Sequence, residues 1–263
     1  MISIAVSGAL GRMGKRIIAL ASEDDELEIK SAIEIASHPS IGQDVGEAAQ
    51  LRKINVPVEK KLSKKVDVLI DFSAPAATME RIKECLDFKC SMVIGTTGLT
   101  GENMKSIKDA SKSIAILQSP NMSVGVNLVF SIVGKIARAL GGDYDIEIVE
   151  THHRFKKDAP SGTALKIAQI IAETIGSDLS KTAVYSRQGI VGERKKGEIG
   201  ILARRSGDIV GVHTVSFGTI GEEIELTHRA TSRDTFATGA LRAAKFVSSK
   251  KSGLFTMLDA LGL

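Results

Sequence analysis

Tryptophan is absent from this 263-residue sequence, and aromatic residues make up only 4% of it. Proteins that grip single-stranded nucleic acid interleave aromatics with Arg, and no such run occurs; a net charge of +4 is also too mild for a polyanionic partner. No nucleic-acid partner is expected. Cysteine is scarce as well. Cys85 and Cys90 form a lone C-x4-C pair read as lying in one helical segment. Such a pair makes a poor zinc site and leaves two thiols pointing apart, so neither a metal nor a disulfide is expected. No apolar run approaches the ~18 residues of a membrane span. Met1-Ile2 leads directly into a strand, without a signal peptide. The cytoplasm, with no membrane partner, is the expected location.

What is present suits an enzyme with aliphatic packing, 25% charged and 43% hydrophobic. The length allows one large core or two modest ones. The mild positive charge suits an anionic metabolite.

Ile2–Val6 is a short β-branched strand, followed at once by Ser7-Gly-Ala-Leu-Gly-Arg-Met-Gly14 and an apolar helical pattern from Lys15 to Ser22. Strand, glycine turn and helix form the context of a dinucleotide-binding fingerprint, here spaced G-x-x-G-x-x-G. Gly8 allows the tight turn, Gly11 lets the backbone approach a pyrophosphate, and Gly14 lets the helix pack on the strand. A phosphate-binding P-loop is excluded, because Lys15 is followed by Arg16 rather than Ser or Thr. A second strand, Leu27–Ile33, ends at Glu34, placed to accept hydrogen bonds from a ribose diol. The run Glu59–Lys65 reads as a solvated face.

Strands at Val66–Phe72, Ser91–Ile94 and Ile114–Leu117 alternate with helices at Met79–Phe88 and Glu102–Lys112. This rhythm predicts an α/β fold with a Rossmann-type, doubly wound parallel sheet. Ligands of such sheets lie beyond the strand C-termini. The cofactor-binding candidates are therefore Gly8, Ala9, Leu10, Gly11, Arg12 and Met13 in the first loop, with Glu34 after the second strand. Gly95, Thr96 and Thr97, then Ser119, Pro120, Asn121 and Met122, complete them at two further strand ends.

Val124–Leu140 reads as a long apolar helix bridging into a second domain. There a strand, Tyr144–Val149, runs into the loop E-T-H-H-R-F-K-K-D-A-P-S-G-T, Glu150–Thr163, and a helix from Ala164 to Ile175. Two proton carriers, three permanent cations and a helix start with free N–H groups suit a small polyanion on which protons are moved. Strands at Glu198–Arg204, Ile209–Phe217 and Glu222–Arg229 read as an antiparallel meander. The second domain is therefore α+β with a mixed, largely antiparallel sheet for substrate binding and oligomerisation. Its expected span is 124–232, with 1–123 plus 233–263 as the dinucleotide-binding domain. Arg233–Val247 and Leu254–Leu263 are expected as helices. His213 reads as a hydrogen-bonded structural histidine, and His38 and His228 have no constellation around them.

Five segments occur in order over nearly the whole length: G-A-L-G-R-M-G, D-F-S-A-P, G-T-T-G, H-H-R-F-K-K-D-A-P-S-G-T-A and G-D-I-V-G-V-H-T. Together they resemble the 4-hydroxy-tetrahydrodipicolinate reductase (dihydrodipicolinate reductase) family. The resemblance implies NAD(P)H-dependent reduction of a small cyclic dicarboxylate to tetrahydrodipicolinate in lysine and diaminopimelate biosynthesis, by a homotetramer joined through the central domain. It implies His152 as proton donor with Lys156 as its cationic partner, and His153, Gly162 and Thr163 as holders of the substrate carboxylates. Lys157 is read as solvated. Family members that accept NADPH readily often carry an Arg directly after the acid matching Glu34; here that residue is Ile35. NADH is therefore the expected preference, with NADPH as the alternative. The rivals are a non-catalytic dinucleotide sensor and a semialdehyde dehydrogenase, the latter disfavoured because Cys85 and Cys90 lie far from the substrate domain.

Overall fold

The structure, a computed structural model, describes all 263 residues. The chain begins with β1 (Ile2–Ser7), α1 (Arg12–Ala21), β2 (Leu27–Ile33), a short α2 (Val45–Ala48) and β3 (Val58–Glu59). It continues through β4 (Val68–Asp71), α3 (Pro75–Phe88), β5 (Ser91–Ile94), α4 (Gly101–Ala110) and β6 (Ala115–Gln118). Next come α5 (Val124–Leu140), β7 (Asp145–His152), α6 (Gly162–Ile175), α7 (Leu179–Thr182), β8 (Ala183–Val184), β9 (Ile199–Arg205), β10 (Gly211–Thr219) and β11 (Glu222–Ala230). The tail is α8 (Asp234–Ser248), β12 (Gly253–Phe255) and α9 (Met257–Leu261). Two compact units result, Met1–Val124 with Arg233–Leu263, and Gly125–Ser232.

The first unit holds a seven-stranded sheet in the order β12-β6-β5-β4-β1-β2-β3, parallel throughout. Strand alternation supplies a core on each face. Ile4, Val6, Val68, Ile70, Val93 and Leu117 point to the side covered by α1 and α8, whereas Ala5, Leu69, Met92, Ile94 and Ile116 meet α3 and α4. Covered on both sides, the strands can be apolar at every position, as β4 is up to Asp71. The order 3-2-1-4-5-6 reverses direction between β1 and β4, which opens a crevice beyond their C-terminal ends.

The tail departs from expectation. Leu254–Leu263 is not one helix: Gly253–Phe255 forms β12, pairing in parallel with β6, and α9 follows behind a capping box made by Thr256 and Asp259. An open sheet edge offers the tail backbone partners, and that gain outweighs local helix propensity. Cys90 likewise lies outside the helix that carries Cys85. α3 ends at Phe88, Lys89 turns left-handed at φ 54°, and the Cys90 N–H returns to the Cys85 carbonyl at 3.0 Å. Both thiols are free and buried, and the neighbouring Cys90 together with burial pushes the Cys85 thiol well up.

The second unit holds a five-stranded mixed sheet in the order β11-β10-β7-β9-β8. Its later strands are not a sequential meander. β7 separates β9 from β10, pairing in parallel with β9 and antiparallel with β10, while β10 and β11 form a hairpin. Ile146 and Ile148 of β7 are buried, and the centre of a sheet is where such a strand has both edges hydrogen-bonded. α5 and α6 cover one face through Val129, Val133, Ile167 and Ile171. By length and composition the Val124–Asp143 stretch would reach across a membrane, with mean hydropathy 1.4, contrary to the expectation of no such run. Here its apolar stripe is spent on this core.

Candidate active site

In the first unit the glycine turn is built tightly enough to exclude side chains at two of its three glycines. Gly8 sits at φ +72°, where an added Cβ would lie 2.4 Å from the Phe72 carbonyl oxygen. A Cβ on Gly14 would lie 2.1 Å from the Gly8 carbonyl oxygen. Gly11, at the start of α1, meets only that same oxygen, at 3.2 Å, and otherwise faces open space. α1 begins at Arg12, so the N–H groups of its first turn lack intrahelical acceptors and present a partial positive charge.

Glu34 is tied into this turn. Its Oε2 accepts the Leu10 N–H at 3.0 Å, and its Oε1 accepts the Ile35 N–H at 2.9 Å. Gly8, Gly11, Glu34 and Ile35 line a cavity of about 610 Å³, with Lys60, Ser73 and Arg81 also in its wall. Arg12, Met13, Gly95, Thr96, Thr97, Pro120, Asn121 and Met122 line a second cavity of about 480 Å³, together with Phe72, Ser73 and Phe236. Fourteen cofactor candidates do not play one part. Ala9 is buried in the core, Leu10 packs against it, and Met122 is buried there too. Thr96 and Ser119 are buried, and their hydroxyls brace the loops: Thr96 Oγ1 donates to Asp71 at 2.8 Å and Ser119 Oγ to the Asn121 carbonyl at 2.8 Å.

The sequence places Asp71 at a strand end facing the crevice but not as a brace, and it reads Lys60 as part of a solvated face rather than of a cavity wall. Buried Asp71 accepts from Ser73, Thr78 and Thr96 hydroxyls at 2.6, 2.5 and 2.8 Å, joining two strand-end loops. Its signal was present in the D-F-S-A-P segment. Lys60 had none. It reaches the wall because β3 pairs with β2, Ile33 opposite Glu59, and the Glu34 N–H bonds the Glu59 carbonyl at 2.9 Å.

In the second unit, β7 ends in His152 and delivers the chain into the basic loop. The following β9–β10 turn folds over this end: Ser206 N–H bonds the His152 carbonyl at 2.9 Å and Arg154 N–H the Gly207 carbonyl at 3.0 Å. His152 Nδ1 lies 2.6 Å from Glu150 Oε2. Ser161 caps α6, its hydroxyl accepting the Ala164 N–H at 3.2 Å and lying 2.9 Å from His213 Nε2. The His152 and His213 rings meet edge to face at 5.2 Å. Gly162 and Thr163 form the first turn of α6, Gly162 facing open space. Lys156 Nζ is held by both oxygens of Asp158, at 2.9 and 2.8 Å, while Lys157 is exposed. His153 Nδ1 is buried without a hydrogen-bond partner. His213 is thus hydrogen-bonded as read from sequence, but it stands within the cluster rather than apart from it.

Burial pushes the His152 imidazole below its ordinary value, and Lys156 and Arg205 add to this against the pull of Glu150. His213 is pushed down to about 3, chiefly by burial and then by His152. Lys156 holds the Asp158 carboxyl below its usual range. The cluster combines a neutral imidazole, a lysine with an exchangeable counter-ion and a helix N-terminus, which is a fit for binding an anion and passing it a proton.

A Rossmann-type sheet with its glycine turn, and a mixed-sheet unit with a proton-carrying cluster, define an oxidoreductase of the two-domain dehydrogenase class. Residues 2–122 match the family described as dihydrodipicolinate reductase, N-terminus, and residues 125–261 match dihydrodipicolinate reductase, C-terminus. The chain belongs to the dihydrodipicolinate reductase family. It is 48% identical to the 4-hydroxy-tetrahydrodipicolinate reductase of Geotalea uraniireducens, over 100% of both chains. Against the protein of that name from Syntrophus aciditrophicus the identity is 46%, over 100% of this chain and 99% of the relative. Among solved structures, a dipicolinate-bound dihydrodipicolinate reductase from Paenisporosarcina sp. TG-14 superposes with a TM-score of 0.75 at 27% identity, covering 98% of each chain.

Proposed function

We propose that this protein reduces 4-hydroxy-tetrahydrodipicolinate to tetrahydrodipicolinate, a step of lysine and diaminopimelate biosynthesis, with NADH preferred and NADPH accepted. The observation that carries the reading is the cluster at the start of α6. There a histidine, a lysine and helix N–H groups converge within a chain matched to the reductase family from end to end. The Paenisporosarcina relative, described as dipicolinate-bound, supports a cyclic dicarboxylate as the ligand class.

The glycine turn fits a dinucleotide. A Cβ would fill the space at Gly8 and Gly14, and Gly11 leaves the N-terminus of α1 open to a pyrophosphate. Glu34 would hold the adenosine ribose, and the loops at Gly95–Thr97 and Pro120–Met122 the nicotinamide half. When bound, the reduced nicotinamide supplies a hydride to C4 of the substrate ring. The protein's task is the remainder: one proton enters and one water leaves.

His152 donates that proton. Neutral in the free protein, it gains basicity from a bound dianion, because two nearby carboxylates favour the imidazolium. Lys156 exchanges Asp158 for a substrate carboxylate, a swap between equivalent charge-assisted partners. His153 and the N–H groups of Gly162 and Thr163 hold the other carboxylate. The same reading takes 1–123 with 233–263 as the cofactor domain, 124–232 as the substrate domain, a homotetramer joined through the second unit's sheet, and a cytoplasmic enzyme.

The test is oxidation of NADH dependent on the condensation product of aspartate semialdehyde and pyruvate. Turnover is expected. Binding of NADH without turnover would instead identify a sensor, and reduction of NAD+ by aspartate semialdehyde in the presence of phosphate would identify a semialdehyde dehydrogenase.

A further inference from the structure

β7 alternates, and its core-facing positions are Ile146, Ile148 and then Glu150. Glu150 is 0% exposed. A carboxylate in a line of isoleucines is costly to desolvate, and a well-packed apolar side chain there would serve stability as well or better. Its presence therefore asks for a reason beyond folding.

The contacts supply one. Oε2 accepts from His152 Nδ1 at 2.6 Å and from Arg205 Nη1 at 2.8 Å. Oε1 accepts the Ser161 N–H at 3.0 Å and Arg205 Nη2 at 2.8 Å. Arg205 reaches this point because β9 runs parallel to β7 with Arg205 in register with His152. It also donates to the Asp158 carbonyl at 2.6 Å, fixing the loop that carries Lys156.

An ionised carboxylate only accepts, so the His152 nitrogen facing it must carry a hydrogen. The second nitrogen, Nε2, is then left as the site that gains and gives a proton. Gly211 of β10 keeps that side clear, since a Cβ there would lie 3.1 Å from Nε2. The other oxygen of the same carboxylate holds the N-cap residue of α6.

We propose that Glu150, clamped by Arg205, is the positioning residue of this site: one carboxylate sets the tautomer of His152 and the place of the α6 N-terminus. The proposal rests on the reading of His152 as proton donor, but the tautomer lock can be tested without turnover. The charged and titratable groups around the dyad are Arg205 on β9, Lys156 and Asp158 on the loop, and His213 on β10. His228 of β11 stands opposite His213.

Glu150→Gln keeps the shape and removes the charge. Its amide has one acceptor oxygen for the donors that Glu150 satisfies with two, and its NH2 faces the guanidinium. Long-range 1H–15N spectra of the histidine rings, recorded on the full chain without ligands and assigned with His152→Asn, are expected to show Nδ1–H for His152 in the wild type. In Glu150→Gln the ring is expected to shift toward Nε2–H. In turnover, kcat is expected to fall by about 10²- to 10⁴-fold, the upper end being the scale of losing the carboxylate that sets a catalytic histidine's tautomer. The limb of its pH profile belonging to His152 is expected to move to lower pH, because the imidazolium loses its counter-ion. Glu150→Asp, which keeps the charge, is expected to retain the tautomer and the position of that limb, and it carries the test if Glu150→Gln does not fold. An unchanged tautomer and pH profile in a folded Glu150→Gln would overturn the proposal, whatever happened to its Tm. A locked tautomer in a wild type that fails to turn over the dicarboxylate would leave the lock standing and remove the functional reading instead.

Discussion

Glu34 Oε2 accepts the Leu10 N–H at 3.0 Å, so the acid at the end of β2 is braced on the glycine turn before any ligand arrives. A ribose diol meets a carboxylate already in place. A 2′-phosphate meets like charge, opposed by Lys60 across the same cavity. NADH is expected to bind about 10-fold more tightly than NADPH, a difference of about 1.4 kcal/mol. Lys60→Ala should widen the gap by weakening NADPH alone. Calorimetric titration of both cofactors decides this; equal or tighter NADPH binding would show that Arg12, Lys15 or Lys60 outweighs Glu34, and an unchanged gap in Lys60→Ala would leave Arg12 or Lys15 as the residue that reads the phosphate.

The proton donor is tested by His152→Gln, for which kcat should fall by about 10²-fold while NADH affinity stays within about twofold. Lys156→Ala should lower kcat as well and raise KM, because its charge serves both the proton donor and the dianion. A kcat near the wild-type value for His152→Gln would remove it from the chemistry.

Two of the glycines of the first turn, Gly14 and Gly11, should separate in their effects. Gly14→Ala drives a Cβ to 2.1 Å from backbone oxygen, so α1 must shift, at a cost of about 1–3 kcal/mol as for other overpacked sites. Gly11→Ala meets one atom at 3.2 Å and should keep the wild-type Tm within a few degrees while weakening NADH. Thermal melts and cofactor titrations on the two variants check both halves, and similar Tm losses in the pair would contradict the distinction.

His213 predicts a pH dependence of stability. Its folded value of about 3 lies below its ordinary 6.5, so between these limits the unfolded chain binds the extra proton and stability falls as pH falls. His152, lowered by burial, acts in the same direction. Glu150 is depressed by Arg205 and His152 against its burial, and its contribution is lost as pH falls from its ordinary 4.5 through its lower folded value. Over pH 7 to 5 the slope therefore belongs to the histidines. His213→Asn should reduce the Tm loss across that window without abolishing it, whereas parallel Tm curves would show that His213 takes up its proton in the folded state.

Much of the chemistry was legible because it is local. The glycine turn, the helix after it and the loop from Glu150 to Thr163 lie within short stretches, where residue type and spacing decide conformation. The alternating strands and helices likewise announced a parallel sheet, since its apolar strands must be buried on both faces. The cluster's proton carriers could be named for the same reason: His152, Lys156 and the start of α6 are close in the chain.

Pairing between distant segments is another matter, because any strand of suitable pattern can accept any neighbour until the sheet closes. The sequence alone determined which residues would carry charge, protons and tight turns. Only the tertiary structure decided that β12 pairs along β6, that β7 separates β9 from β10, and that the β2–β3 register brings Lys60 into the wall of the cavity that Glu34 lines. It also decided that Arg205, 55 positions from Glu150, meets that carboxylate with both of its terminal nitrogens. Spacing along the chain sets what is near in sequence, whereas hydrogen-bond register between strands sets what is near in space.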